Sequence, residues 1–258
     1  MKPIARWTIG AVSNTGFDVL RHSIGLFSKI YPEFERIVCF NSIEKSKIKF
    51  LEGKAQLFEQ KEEYNVCDIL PTNPKDEQQA SGCGWKLCPP RLSLKTHELF
   101  IDNDLIIRKR IKEIDDWLNV QDEAIISEGH PRSRMFGVFD EFIPKEINVC
   151  AGLFGLPPNF NFADRIKFFV SQKKVTIGGW EEQGLTASIV TNSQKYKLIP
   201  LSKVHISEDW VEDPLAPLSQ NYSNNNKQKP DAIHFVGANR KPWHRGWCLY
   251  LNNCIKNL

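Results

Sequence analysis

Two aspartates lie one residue apart in the segment FIDNDLII, at positions 100–107. Asp is a poor strand former and is costly to bury, so Asp102 and Asp104 at the end of an apolar strand predicted over ELFID (98–102) are unusual. Carboxylate oxygens are the ligands that Mg²⁺ and Mn²⁺ select, and one Asp can bind a cation directly while the other binds it or holds a coordinated water. The alternative is a turn in which either Asp caps a following helix.

The elements that must position this pair have the pattern of an α/β fold. The apolar run Trp7–Val12 predicts a strand, helical spacing predicts a helix over 17–30, and RIVCF (36–40) predicts a second strand. Helical patterns also cover 43–64 and 108–119. A strand–helix–strand unit of this length implies a right-handed crossover and a parallel sheet. Ligands bind beyond the carboxyl ends of such strands, where the loop SNTG and the acidic pair lie.

The segment LFIDNDLII resembles the signature of GT-A glycosyltransferases, in which D-x-D binds the cation that bridges the diphosphate of a nucleotide-sugar. Near the C-terminus, HFVGANRKPW resembles the H-F-x-G-x-x-K-P-W element of the glycogenin-like family 8 glycosyltransferases, with one extra residue between Gly237 and Lys241. The resemblance implies that His234 is the third metal ligand, that Gly237 lets the backbone approach the phosphates, and that Lys241 contacts the diphosphate. Neutral imidazole ligates metals and an ammonium offsets phosphate charge. Alone, His234 would be interpreted as structural.

Two weaker matches lie between these motifs. INVCAGLFGLPPN (147–159) resembles the family's F-N-S-G strand, which implies that Asn148 and Gly152 line the sugar pocket. WEEQG (180–184) resembles the family's D-Q-D-x-L-N at a helix start. Gln183 matches the Gln, while Glu182 and Gly184 take the places of the flanking Asp residues. The second acid is therefore missing.

Further donor-binding residues are implied by position in the resemblance. AVSNTG (11–16) stands where the family has its first nucleotide-binding loop, and it lacks that loop's characteristic residues. Lys86 in GWKLCPPRL matches a basic residue that precedes D-x-D and faces the phosphates, with a solvated helix residue as the alternative. The residues expected to contact the nucleotide-sugar in these segments and in the D-x-D motif itself are Ala11, Ser13, Asn14, Lys86, Asp102 and Asn103.

The resemblance implies an α/β fold of GT-A type, a Rossmann-like, mixed and mostly parallel sheet flanked by helices in a single domain. Residues 1–107 would be the nucleotide-binding half and 108–258 the acceptor and sugar half. The implied activity is transfer of a sugar from a nucleotide-sugar, a UDP-sugar, to a hydroxyl of a glycan, lipid-linked or protein acceptor, with Mn²⁺ or Mg²⁺ as cofactor. Family 8 implies retention, with Gln183 beneath the anomeric carbon, whereas Glu182 would be the base of an inverting enzyme.

Three other functions stay open. A sugar nucleotidylyltransferase would share the sheet and the metal, but the N-terminal region has no G-x-G-x-R loop. A metal-dependent nuclease would need more acids and a basic groove. A degenerate sugar- or nucleotide-binding module on the same scaffold is kept open by the missing acid at position 184.

The composition argues against several classes of partner. Lys and Arg number 34 against 31 acidic residues, and a net charge of +3 over 258 residues is too mild to predict binding of nucleic acid or an anionic membrane. No apolar run approaches the roughly 18 residues of a membrane span, so no transmembrane segment is expected. Seven cysteines, an odd number, indicate reduced thiols and a cytoplasmic location rather than a disulfide framework.

Overall fold

The computed structural model describes residues 1–10, 12–41, 43–60, 85–130, 135–173, 179–208, 230–238 and 243–255. Within these ranges the chain forms a seven-stranded sheet and a three-stranded sheet, and helices cover both faces of the larger one. The described helices are all too short or too polar to cross a membrane. The sequence VCDIL (66–70), whose apolar residues predict a further short strand, lies outside the described residues.

The larger sheet is mixed and mostly parallel, which confirms the predicted fold class. Its β7 runs antiparallel to both of its neighbours, β4 and β6, while the other neighbouring pairs are parallel. In spatial order its strands are β3 (Gln56–Glu59), β2 (Glu35–Phe40), β1 (Ile4–Ile9), β4 (Glu98–Ile101), β7 (Val149–Leu156), β6 (Ala124–Glu128) and β8 (Tyr196–Ile199).

The smaller sheet begins where β4 ends. It contains β5 (Leu105–Ile107), then β10 (Ala232–Val236), then β9 (Val204–Glu208), with β10 antiparallel to β5 and parallel to β9. Only the three residues of the D-x-D motif separate β4 from β5. The motif therefore joins the two sheets.

The predicted strand–helix–strand unit is confirmed, since α1 connects the parallel strands β1 and β2. The helix predicted over 43–64 is wrong in its second half: the observed helix ends at Leu51, Gly53 takes a left-handed φ of 76°, and β3 follows. The helix predicted over 108–119 is shorter, at Lys112–Trp117. The helices are α1 (Asn14–Ile30), α2 (Lys45–Leu51), α3 (Lys112–Trp117), α4 (Phe162–Ser171), α5 (Gly179–Thr191) and α6 (Arg245–Ile255).

Aromatic side chains fill the space on both faces of the larger sheet. On one face Trp7 of β1 packs edge-on against Phe27 of α1, with ring centroids 5.5 Å apart. On the other, Phe100 of β4 stacks on Phe154 of β7 at 4.2 Å, and α4 and α5 cover them. Both faces of the sheet are covered. Polar side chains can therefore meet a ligand at the carboxyl end of β4, which lies beside the first half of the antiparallel strand β7.

Candidate active site

The D-x-D motif forms a turn at the carboxyl end of β4. The N–H of Asp102 donates to the carbonyl of Gly152 in β7 at 2.8 Å, which extends the β4–β7 pairing past Ile101. The N–H of Leu105 donates back to the Asp102 carbonyl at 3.1 Å, and β5 begins there. The alternative in which an Asp caps a following helix is wrong, because the motif is followed by a strand. The backbone is thus fixed on both sides of the acidic pair.

Strand β10 brings His234 to this turn. Its neighbours Ile233 and Phe235 pack in a hydrophobic cluster with α6, and alternation along the strand therefore turns His234 to the opposite side. The imidazole Nε2 lies 3.1 Å from Asp104 Oδ1 and 3.6 Å from Asp102 Oδ2. His234 and Asp104 are buried, whereas the Asp102 side chain is 26% exposed. One ligand atom from each of these three residues lies within 4.8 Å of the others.

Strand β7 makes room for the imidazole. A Cβ on Gly152 would lie 2.4 Å from His234 Cε1, so only glycine fits at this position. Two residues earlier on the same face, the Cys150 sulfur lies 3.5 Å from His234 Nδ1. The contact at Nδ1 leaves Nε2 facing the carboxylates. Asn148, the residue expected in the sugar pocket, accepts a backbone hydrogen bond from Gly129 at 2.9 Å, and its place at a ligand stays a prediction.

Charge in the cluster is balanced by close pairing. Burial opposes ionisation of Asp104, but His234 outweighs it and lowers the pKa of that carboxyl. Burial likewise opposes protonation of His234, but the Cys150 sulfur and Asp104 raise the pKa of the imidazole above its ordinary value. The N–H of Gly237 also donates to Asp104 Oδ2 at 3.2 Å. Negative charge is therefore stable at this buried position only with a positive partner beside it.

The donor set suits a hard divalent cation. Two carboxylates and one imidazole nitrogen converge from three segments, and oxygen ligands with an imidazole suit Mn²⁺ or Mg²⁺. Asp102 presents Oδ2 to His234 and Oδ1 to a lysine, so its two oxygens have different partners. A divalent cation held by these three residues would keep coordination positions for further oxygen ligands.

Lys86 is part of the same constellation, and the alternative of a solvated helix residue is wrong. It lies in a 3₁₀ turn, Trp85–Leu87, and its side chain is only 12% exposed. Its Nζ lies 2.6 Å from Asp102 Oδ1 and 3.5 Å from Glu182 Oε1, and donates to the Ala151 carbonyl at 2.5 Å. Burial disfavours the ammonium, but Asp102 and Glu182 outweigh it and raise the pKa of Lys86 above its usual range. Lys86 therefore carries its charge between the D-x-D turn and α5.

The N-terminal part of α5 carries both candidate catalytic residues. Glu182 is 7% exposed and faces Lys86, and Gln183 Nε2 donates to the Met135 carbonyl at 3.4 Å. Gly184 shows why the second acid of the resembled motif is missing. A Cβ there would lie 1.9 Å from the Phe136 carbonyl oxygen, so α5 packs directly on the backbone before the 3₁₀ turn Gly137–Phe142.

The loops after β1 and β10 meet beside the cluster. Ser13 caps α1 by accepting from the Gly16 N–H at 3.0 Å, and its hydroxyl donates to the Ala238 carbonyl at 2.8 Å. Asn14, the first residue of α1, is exposed. Gly237 has a φ of 89°, a left-handed conformation that favours glycine. The segments expected to contact the donor are thus adjacent.

The structure describes one of three further residues that were predicted to bind the donor, Asn103, and does not describe Ala11 and Lys241. Asn103 is buried, 8% exposed, between the two aspartates. Sequence reasoning missed Cys150, although alternation along an eight-residue strand puts it on the same face as Gly152.

Comparison with solved structures finds this fold in glycosyltransferases, although no protein-family model and no curated protein matches the chain. Galactosyltransferase LgtC, in complex with donor and acceptor sugar analogues, has a TM-score of 0.62 at 12% identity over 98% of this chain and 94% of that one. Mouse xyloside xylosyltransferase 1 in its apo form has a TM-score of 0.56 at 12% identity, over 93% and 100%. Glycosyltransferase GlyE of Streptococcus pneumoniae has 0.53 at 12%, over 99% and 64%. The chain has the GT-A fold, as the sequence predicted.

Gly152→Ala is expected to weaken Mn²⁺ binding about tenfold or more, because the new Cβ, 2.4 Å from His234 Cε1, displaces the imidazole from the carboxylates. Gly155→Ala is the matched control: it lies in the same strand, but its Cβ would meet Trp117 and Ile125 in the core. Titration calorimetry with Mn²⁺ compares the folded variants. Equal Mn²⁺ affinities for the two would contradict the role of Gly152 in placing His234.

Gly184→Asp, which would supply the missing acid, is expected to destabilise the protein. Overpacking typically costs about 1–3 kcal/mol, and here the obstacle is the Phe136 backbone. Gly25→Ala in α1 is the control, because nothing lies within 4 Å of the new Cβ and helix propensity should add about 0.5–1 kcal/mol. Urea unfolding measures both free energies. A Gly184→Asp variant as stable as the natural chain would show that α5 can move away from this backbone.

Proposed function

We propose that this protein is a divalent-cation-dependent glycosyltransferase that moves a sugar from a UDP-sugar to a hydroxyl of a glycan, lipid-linked or protein acceptor. The observation that carries the proposal is the convergence of Asp102, Asp104 and His234 at the junction of the two sheets. This junction lies beyond the carboxyl end of β4, where α/β sheets bind ligands. The fold supports the proposal, because LgtC was solved with donor and acceptor sugar analogues and has this fold over nearly the whole chain.

The chemistry explains why a cation belongs at this position. In the transfer, the acceptor O–H bond and the bond from the anomeric carbon to the diphosphate oxygen break, and a bond from the anomeric carbon to the acceptor oxygen forms. The acceptor proton passes to the departing diphosphate. The diphosphate leaves with the electron pair, so negative charge grows on it. Mn²⁺ or Mg²⁺, when bound, supplies positive charge to the diphosphate. We assign the cation to Asp102, Asp104 and His234. Residues 1–107 would bind the nucleotide of the donor, and residues 108–258 would bind the acceptor and the sugar.

The residues around the cluster divide the remaining tasks. Gly237, with its left-handed backbone, lets the chain approach the phosphates, and Lys241 neutralises them according to the resemblance. According to the resemblance, we assign Ala11 and the loop residues Ser13 and Asn14 to nucleotide binding. Lys86 adds a buried positive charge beside Asp102. The proposed sugar pocket lies at β7 and α5, with Asn148 and Gly152 lining it, and Asn103 would contact the nucleotide-sugar from the D-x-D turn.

We propose that transfer proceeds with retention, with Gln183 beneath the anomeric carbon. One solved structure of LgtC is an active-site mutant in which a glutamine is replaced by glutamate, so that enzyme has a glutamine in its active site. In this chain Glu182 is held 3.5 Å from Lys86, which favours a role in orienting that lysine over a role as a free base. If transfer inverts the anomeric carbon, Glu182 is the base.

A binding module without catalysis is the second candidate, and Gly184 favours it. The packing of Gly184 on Phe136 leaves no room for an acid at this position. Such a module would bind the nucleotide-sugar with the cation and leave it intact.

The test combines turnover with binding. The protein is incubated with UDP-glucose, UDP-galactose and GDP-mannose in Mn²⁺ or in EDTA, and release of nucleoside diphosphate is followed. We expect slow Mn²⁺-dependent release from one UDP-sugar, and Asp104→Asn should weaken donor binding about tenfold or more in Mn²⁺ and not in EDTA. Asp122→Asn is the control, because it removes an exposed carboxylate that pairs with Lys195 away from the site.

Three outcomes contradict parts of this proposal. Equal donor affinity in Mn²⁺ and in EDTA would show that donor binding does not depend on a divalent cation. If the donor binds with the cation but no nucleoside diphosphate is released in the presence of a mixed pool of sugar acceptors, catalysis is contradicted and the second candidate, the binding module, is favoured. A product whose new linkage has the opposite anomeric configuration to the donor, read by NMR, would overturn retention and move the catalytic role to Glu182.

A further inference from the structure

A buried arginine lies beneath the candidate site and contacts the backbone of the segment that carries Lys86. Arg6 of β1 follows Ala5 and precedes Trp7, so its side chain points to the face of the sheet opposite Trp7, with the guanidinium 4.6 Å above the Phe100 ring. The side chain has no exposed surface. It donates hydrogen bonds to three backbone carbonyls of one segment, at 3.3 Å to Lys86, 3.1 Å to Cys88 and 2.6 Å to Pro89.

Glu98 balances this charge and is itself shared. Its Oε1 lies 3.1 Å from Arg6, its Oε2 lies 3.0 Å from Arg91 Nε, and it accepts from the Leu92 N–H at 3.0 Å. Arg91 directs its remaining donors to other carbonyls, those of Ser93, Thr96, Pro157 and Phe160. The two arginines therefore hold two different parts of the loop that precedes β4.

Stability alone does not account for this arrangement. Buried ion pairs are often no more stabilising than well-packed apolar residues of the same volume. What the Arg6 guanidinium adds is geometry, because its planar fork holds several acceptors in fixed directions at once. The acceptors it holds belong to the 3₁₀ turn that carries Lys86 and to the residues just after it.

We infer that Arg6 is a positioning residue: it fixes the backbone of residues 86–89 and so sets the Lys86 ammonium between Asp102 and Glu182. The inference rests on the proposed function, in which Lys86 serves donor binding. Arg6 acts through Lys86, since Lys86 Nζ reaches Asp102 Oδ1 at 2.6 Å from a turn whose own carbonyl Arg6 holds. A displacement of this turn moves the ammonium and leaves Asp102 unpaired on that side.

Arg6→Lys tests the inference. A lysine keeps the charge beside Glu98, but a single ammonium cannot reproduce the fork that reaches three carbonyls. Binding of UDP in Mn²⁺ should weaken about fivefold or more in Arg6→Lys and in Lys86→Met. The double variant should bind no more weakly than Lys86→Met alone within about twofold, because both changes remove the same interaction. With a hydrolysable donor, Arg6→Lys should change kcat and KM in the same proportions as Lys86→Met.

Arg91→Lys is the matched control. It removes a guanidinium from the same Glu98 and the same loop, so it should lower the melting temperature as Arg6→Lys does. The carbonyls that Arg91 holds lie beyond Lys86 in the chain, so UDP affinity should stay within about twofold of that of the natural chain. If Arg6→Lys does not fold, Arg6→Gln in the Gly25→Ala background takes its place with the same thresholds.

The outcomes separate this inference from the proposed function. UDP affinity unchanged in Lys86→Met would contradict the donor role of Lys86 and with it the proposed site. If UDP affinity is weakened in Lys86→Met but unchanged in Arg6→Lys, the inference about Arg6 is overturned and the proposed function stands. Equal weakening in Arg6→Lys and Arg91→Lys, or additive losses in the double variant, would show general loosening of the core and would also overturn it.

Discussion

Two carboxylates are held side by side at the edge of a hydrophobic core, and this electrostatic constraint organises the site. Asp104 is 4% exposed, and a buried charge without a partner is strongly unfavourable. The partners come from elsewhere in the chain: His234 at 3.1 Å from Asp104, and Lys86 at 2.6 Å from Asp102. A divalent cation among these groups would satisfy the same requirement and would add an affinity for phosphate oxygens.

The topology supplies these partners from distant parts of the sequence. Because β7 runs antiparallel to β4, Gly152 lies opposite the D-x-D turn. Glycine has no side chain, and this leaves space for the His234 imidazole. The smaller sheet continues directly from the turn, and pairing of β10 with β5 sets His234 across from Leu105. Beneath, Arg6 and Glu98 fix the loop of Lys86. Gly152 and His234 act at the junction between the two sheets, whereas Arg6 and Glu98 lie within the larger sheet.

The sequence was sufficient to predict the elements that carry local signals. The β1–α1–β2 unit and its parallel pairing follow from hydrophobic periodicity. The mixed sheet and the cluster of Asp102, Asp104 and His234 are what the resemblance of two motifs to glycosyltransferase motifs implies. The charged pattern over 43–64 misled because a helix and a strand share it, and Gly53 is the signal that marks the break.

Other parts of the site depend on packing between distant residues, which one sequence does not display. Gly184 appeared as a missing acid, and only the backbone of Phe136 beside it shows that no side chain fits. Sequence reasoning gave Cys150 no role, because the other residues of its strand are apolar. Arg6 lies outside the predicted strand Trp7–Val12, whereas the observed β1 begins at Ile4. For each of these residues, the contact that places it at the site is made with a residue more than 40 positions away in the chain.

The central claim is that Asp102, Asp104 and His234 hold a divalent cation, and crystals soaked in Mn²⁺ test it most directly. Anomalous scattering from manganese locates the ion independently of any assay. The account predicts a single strong peak within coordination distance of one oxygen of each Asp and of His234 Nε2, with Lys86 still beside the other oxygen of Asp102. Manganese found only elsewhere, with His234 still hydrogen-bonded to Asp104 at the observed 3.1 Å, would contradict it.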